Sequence, residues 1–214
     1  MRYKKSGSIA LALCAAAGIL YNSWPLGYWL DNQTARHGLA SDLEKAGHPY
    51  YWLFILGDIL TALCTVAAGS LVWFAGRREP LSRAWQAVAI GLVVFGVFTA
   101  VSALVPTECS GTTVVGCGAH DGQGLGLDGL FSAIAALGLF MGLVSAAKLS
   151  TPPKLGVALA RIVRATAIAW WASGVIFIIL ALTDKSALLP EQILLALSGL
   201  ALLAIGLVIG KTAP

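Results

Sequence analysis

Charge is what this chain has least of: Asp, Glu, Lys and Arg together make up 11% of its 214 residues, where a soluble domain carries about 25%. That deficit excludes a water-soluble globule. The 58% hydrophobic content and mean hydropathy of +0.83 place the chain among integral membrane proteins. Histidine is scarce as well. After His120 there is none, so the last three apolar stretches contribute no imidazole to a metal site. There is no CxxC pair, which excludes a redox dithiol of that kind. No internal repeat is evident, which counts against a transporter built from inverted halves. Gly124-Leu125-Gly126-Leu127-Asp128-Gly129 spells GxGxxG, but no strand precedes it and an apolar helix follows, so it is not a nucleotide loop.

What is present is long apolar runs. A span needs roughly 20 mainly apolar residues. Six windows qualify, at about Ser8–Trp29, Trp52–Phe74, Ala84–Val105, Leu125–Ala147, Val157–Leu182 and Leu189–Ile209. The fold class is therefore all-α, a bundle of six transmembrane helices forming one domain over residues 1–214. The first window follows Arg2, Lys4 and Lys5 and holds Ala15-Ala16-Ala17, the pattern of a signal peptide with its cut site; it is read here as a retained span. The basic residues divide eleven to three between the two sides of this map, the minority being Arg36, Lys45 and Lys185. By the positive-inside rule both termini are cytoplasmic, and the loops after spans one, three and five face out. The net charge of +4 and pI near 9.0 are then signals of topology and imply no nucleic-acid partner.

The polar residues that could carry function gather near the outer face. Cys109 and Cys117 share one outer loop, where an oxidising compartment favours a disulfide. Metal thiolates are the less favoured alternative, since structural zinc pairs are more closely spaced and need further ligands. The same loop runs through His120 and Asp121 to Asp128, expected at the head of span four with Ser132 one turn further on. Span two carries Asp58 about six residues inside its aromatic entry, followed by Thr61 and Thr65, a polar stripe that must face the bundle. A carboxylate in the membrane costs on the order of 3 kcal/mol when unpaired, so Asp58 is neutralised, partnered or wet. Trp24, in the aromatic cluster around Pro25, reads as an interfacial belt with a proline kink. Residues 30–51 form an outer loop whose Ser41-Asp42-Leu43-Glu44 resembles a short helix start. Gly138 with Gly142, and Gly206 with Gly210, allow close helix approach. Trp170 and Trp171 lie too deep for a belt. Span six is expected to be structural closure.

Residues 35–62 resemble the segment joining the first two spans of bacterial membrane proteins called domain of unknown function 998. The resemblance is carried by Gly47-His48-Pro49-Tyr50-Tyr51-Trp52-Leu53-Phe54-Ile55-Leu56-Gly57-Asp58, and by Pro106 and Cys109 through Cys117 to Asp128 and Ser132. It implies a multi-span fold and assigns no reaction. Membrane hydrolases of the alkaline ceramidase type are a more distant comparison, with a late HxxxH pair that this chain lacks. Three functions stay open: an accessory or lipid- or small-molecule-binding module whose outward cleft is walled by Trp24, Asp58, Thr61, Asp128 and Ser132; a metal-assisted hydrolase of outer-leaflet lipid, with His37, His48 or His120 as ligands and Asp58, Asp128 and Ser132 as catalytic candidates; and a small proton-coupled transporter. No cofactor is implied. The expected partners are membrane lipids, with a second membrane protein or another copy of the chain possible, in a bacterial cytoplasmic membrane. Asp58 and Asp128 are expected to line one cavity.

Overall fold

The computed structural model describes residues 2–30, 43–44, 50–75, 82–105, 127–150, 156–182 and 188–212. Six long helices account for most of them: α1 (Arg2–Leu20), α2 (Tyr51–Ala75), α3 (Arg83–Leu104), α4 (Leu127–Leu149), α5 (Val157–Leu182) and α6 (Leu188–Thr212). Each is apolar and long enough to cross a bilayer once α1 is extended by its short continuation to Leu30. α3, the shortest of the unbroken spans, has 22 residues and runs about 33 Å at 1.5 Å per residue, the thickness of a hydrocarbon core. Among the described residues the six spans are those expected, within a few residues at each end.

The helices run up and down in chain order. α1 packs on α2 and α6, α2 on α3, α3 on α4, and α4 also reaches α6, closing a ring; α5 lies outside it against α6 and α4. Burial records this difference: 50% of the most apolar stretch of α6 is buried, against 11% of that of α5. An added Cβ at Gly210 would lie 3.6 Å from the Gly7 carbonyl oxygen, so both termini sit at one end of the bundle.

With lipid tails as apolar as leucine, close backbone packing has to hold such a bundle together, and small residues permit it. A Cβ at Gly91 would come within 2.6 Å of the Gly138 carbonyl oxygen and 2.7 Å of the Gly142 nitrogen, so α3 and α4 meet backbone to backbone. Gly206 and Gly210 press on Leu11 and Cys14 of α1 in the same way. Both expected glycine pairs are thus internal seams. Around them lies a core that includes Val88, Leu92, Phe95, Leu139, Leu143, Leu202 and Ile205. Trp170 joins it: its indole N–H donates to Ser198 Oγ at 2.8 Å and its ring stacks on Phe140 at 5.8 Å between centroids. Trp171, 56% exposed against 7% for its neighbour, faces outward.

Candidate functional site

α1 does not simply kink at its proline; it stops. The helix ends at Leu20, a 3-10 turn follows over Trp24–Leu26, and a four-residue helix, Gly27–Leu30, completes the span. The cause is local. Pro25 has no N–H to give the Tyr21 carbonyl, and the Leu26 N–H turns to the Ser23 carbonyl at 2.9 Å. Asn22 partly mends the break, its Nδ2 donating to the Gly18 carbonyl at 2.8 Å. Trp24 donates from Nε1 to Asn22 Oδ1 at 3.4 Å, and its ring meets Tyr28 edge-on at 6.2 Å. The broken end is docked on α6 by Tyr28 and Gln192: the phenol accepts from Gln192 Nε2 at 3.0 Å and donates to Oε1 at 3.3 Å.

Across from the break stands the N-terminal half of α2. Gly57 is pressed against the Leu20 carbonyl and Ser23, and the Thr61 hydroxyl donates to the Ala17 carbonyl at 3.4 Å, so this side of α2 faces α1. Ala62, opposite Gly96, and Gly69, against Ala89, face α3. Asp58 projects between these two directions, toward the middle of the bundle, where it is half-buried. The expected stripe is there, with Thr61 and Thr65 fully buried. Its hydroxyls serve backbone carbonyls, Thr65 bonding Thr61 at 3.0 Å and Ala62 at 3.1 Å, so Thr61 ties α2 to α1 and is not spent on Asp58.

Two further carboxyls, neither expected from the sequence to belong to a site, lie toward the same end of the bundle. Glu191, 8% exposed, lies in the first turn of α6, where the helix dipole favours negative charge. Glu44 comes from the connection between α1 and α2, beside the buried Leu43. Burial pushes the Glu44 carboxyl well above the usual carboxylate range, and the charges of Asp58 and Glu191 push it further. The Tyr21 phenol lies within electrostatic reach of all three acids, and its ring packs edge-on to Phe95 of α3 at 5.3 Å. No lysine or arginine among the described residues pairs with Asp58 or Glu44. The signals were present: a proline that must interrupt α1, and an acid seven residues before Ser198 on the buried face of α6.

The other candidates divide. Ser132 is exposed and its hydroxyl lies 2.8 Å from that of Ser102, pinning the C-terminal end of α3 to the N-terminal end of α4. Thr99, three residues before Ser102 on α3, is 4% exposed, and its Oγ1 has no hydrogen-bond partner among the described residues. Asp128 sits in the first turn of α4, as expected, while its side chain lies outside the description, so its relation to Asp58 is not fixed. Cys109, Cys117, His37, His48 and His120 also lie outside the described residues. Among the described residues no three His, Cys, Asp or Glu side chains are placed to hold one metal ion.

No curated protein and no solved structure matches the chain. A family model described as "Protein of unknown function (DUF998)" matches residues 14–209, a stretch that begins inside α1 and ends inside α6 and takes in the broken turn, Asp58 and Glu191; the chain belongs to this family of multi-span membrane proteins.

Proposed function

We propose that this protein is a lipid- or small-molecule-binding membrane module whose cleft lies at the broken end of α1 and opens toward the outer leaflet of a bacterial cytoplasmic membrane. One observation carries the reading. Asp58 of α2 and Glu44 of the connection between α1 and α2 lie within electrostatic reach of each other and of the Tyr21 phenol of α1 in an otherwise apolar bundle, with no basic side chain among the described residues paired to either. A carboxyl in a membrane span without a basic partner is expensive, and its usual use is to meet a ligand, an ion or a proton. Tyr21, Trp24 and Tyr28 supply aromatic walls of the kind that small-molecule sites favour. The eleven-to-three division of basic residues supports the outward orientation, with both termini cytoplasmic.

A proton-coupled transporter is the second reading. It is favoured by the discontinuity of the first span, because transporters commonly build their sites on helices interrupted within the membrane.

The binding reading is tested with a lipid carrying a photoreactive group near its headgroup, crosslinked to the protein in nanodiscs and mapped by mass spectrometry. Crosslinks should concentrate on residues 21–28 and 188–192. A map that follows lipid exposure alone, heaviest on the open face of α5, would overturn it.

A further inference from the structure

We propose that the open face of α5 holds an anionic phospholipid at the end of the bundle that carries the two termini, its phosphate on Arg161 and Arg164 and an acyl chain along Ile168 and Trp171. The proposal stands apart from the cleft at the broken end of α1.

Helix periodicity defines the face. Ala160, Val163 and Trp170 are buried and turn one side of α5 toward α4 and α6. Arg161, Arg164, Ile168 and Trp171, separated by three, four and three residues, form a single stripe on another side, and all four are exposed. Among the six spans α5 has the smallest share of its apolar stretch covered, 11%. Lipid tails cover leucine and isoleucine without preference, so exposure alone selects no ligand. The two guanidiniums do.

The stacking of Trp170 on Phe140 sets their depth. Because α4 and α5 are antiparallel, counting nine residues from each ring toward the termini brings Arg161 level with Leu149, the last residue of α4. Arg164 lies about one turn deeper. Each Cα–Cβ bond tilts toward the helix N-terminus, which for α5 is this same end, so both long side chains reach back to headgroup level with their stems along apolar surface. The start of the helix adds to the positive field. Gly156 caps it, its carbonyl accepting from the Ala160 N–H at 3.2 Å, and has no side chain to offer the first N–H groups. No acid stands in the first turn.

Charge then selects the headgroup. The acids among the described residues, Glu44, Asp58, Asp128 and Glu191, lie toward the opposite end of the bundle, so none of them neutralises the pair. Lys148, exposed in the last turn of α4, places another positive charge near the same level. Guanidinium groups take phosphate oxygens in bidentate fashion. A choline or ethanolamine headgroup would bring its own cation against them, so a net-anionic phosphodiester fits. Its source is a lipid because the stripe continues: Ile168 and Trp171 follow Arg164 by about one and two turns, in the direction an acyl chain runs from its headgroup. A second copy seated on this face would instead bring two arginine pairs together.

Trp171 is the reporter for the test. Full-length protein is reconstituted in phosphatidylcholine vesicles, and phosphatidylglycerol or phosphatidylcholine brominated midway down its chains is titrated in. The Trp171 signal is the difference in fluorescence between wild type and Trp171→Phe. Brominated phosphatidylglycerol should quench it at a mole fraction roughly tenfold lower than brominated phosphatidylcholine. Arg164→Gln should cut that preference by about fivefold, the contribution of one basic residue at a membrane surface. Adding Arg161→Gln should erase it. Arg83→Gln removes a charge at the same end of the bundle from α3, a helix on which α5 does not rest, and should leave the preference unchanged. Equal quenching by the two lipids would overturn the proposal, as would a loss in Arg83→Gln that matches the loss in Arg164→Gln, since the preference would then belong to that whole end of the bundle. Relief of quenching by millimolar glycerol phosphate would show a phosphate site without the lipid. No quenching by either lipid would show that protein covers the face. A zwitterionic photoreactive lipid in the cleft experiment keeps the two readings apart, because this face does not concentrate it.

Discussion

At mid-depth, α3 and α4 meet through Gly91, Gly138 and Gly142, with backbones touching and no polar side chain needed. At the end of the bundle away from the termini, a helix has come apart: α1 breaks between α2 and α6, docked on α6 by Tyr28 and flanked by Asp58 of α2. The first arrangement gains van der Waals contact and leaves nothing unsatisfied. The second gathers groups whose desolvation is unfavourable and leaves the Tyr21 carbonyl without its helical donor. One region is built for stability, and the other is held in place by it. Mutations should therefore separate the two: changes at mid-depth should move stability and spare binding, and changes at the broken end of α1 should do the reverse.

The largest effect is expected at Gly91. A side chain there meets the backbone of α4, which cannot give way as a flexible side chain can, so Gly91→Val should lower stability by roughly 3 kcal/mol or more. Unfolding by SDS titration in mixed micelles measures this, and a variant with wild-type stability would break the account of the α3–α4 seam. A smaller effect separates two adjacent tryptophans. Trp170→Phe removes the donor to Ser198 and should cost about 1 kcal/mol. Trp171→Phe, on the open face, should stay within about 0.5 kcal/mol. Equal effects at the two positions would show that α5 is not turned as described.

The smallest effect belongs to the outer end and appears as a dependence on pH. The raised proton affinity of Glu44 in the folded state means that its protonation stabilises the fold. That contribution is complete below the ordinary glutamate value of about 4.3 and is lost as pH rises through the raised folded value. The groups facing it are Asp58, Glu191 and Tyr21. Melting temperature should therefore fall modestly as pH rises from about 4.3 through the raised folded value, by little because Glu44 is only partly buried. Glu44→Gln should flatten the slope. An unchanged slope in that variant would remove Glu44 from the cluster.

How much of this could be read from residues alone differs between the same two regions. The glycine pairs four apart announced close seams, though which helices they joined came from the packing. Asp58 announced itself as an acid six residues into an apolar span, and the stripe of Thr61 and Thr65 gave its face. Glu191 was passed over because an acid near the end of a span reads as a group at headgroup level. Its inward direction depends on where α6 begins and how it packs on α1. Glu44 lay in a connection with no periodicity, and which of the α3 hydroxyls finds a partner, Ser102 on Ser132 but not Thr99, was decided by packing.

What the sequence determined by itself is the membrane class, the number of spans and their ends. Transfer of apolar side chains out of water and the satisfaction of backbone hydrogen bonds within each helix are local matters, settled by composition over some twenty residues. Pro25 likewise settled locally that α1 must be interrupted. Which acids come together was decided only by tertiary structure. Glu44, Asp58 and Glu191 are far apart along the chain, and the electrostatic coupling between them falls off with distance and exists only once α1, α2 and α6 have closed around Tyr21.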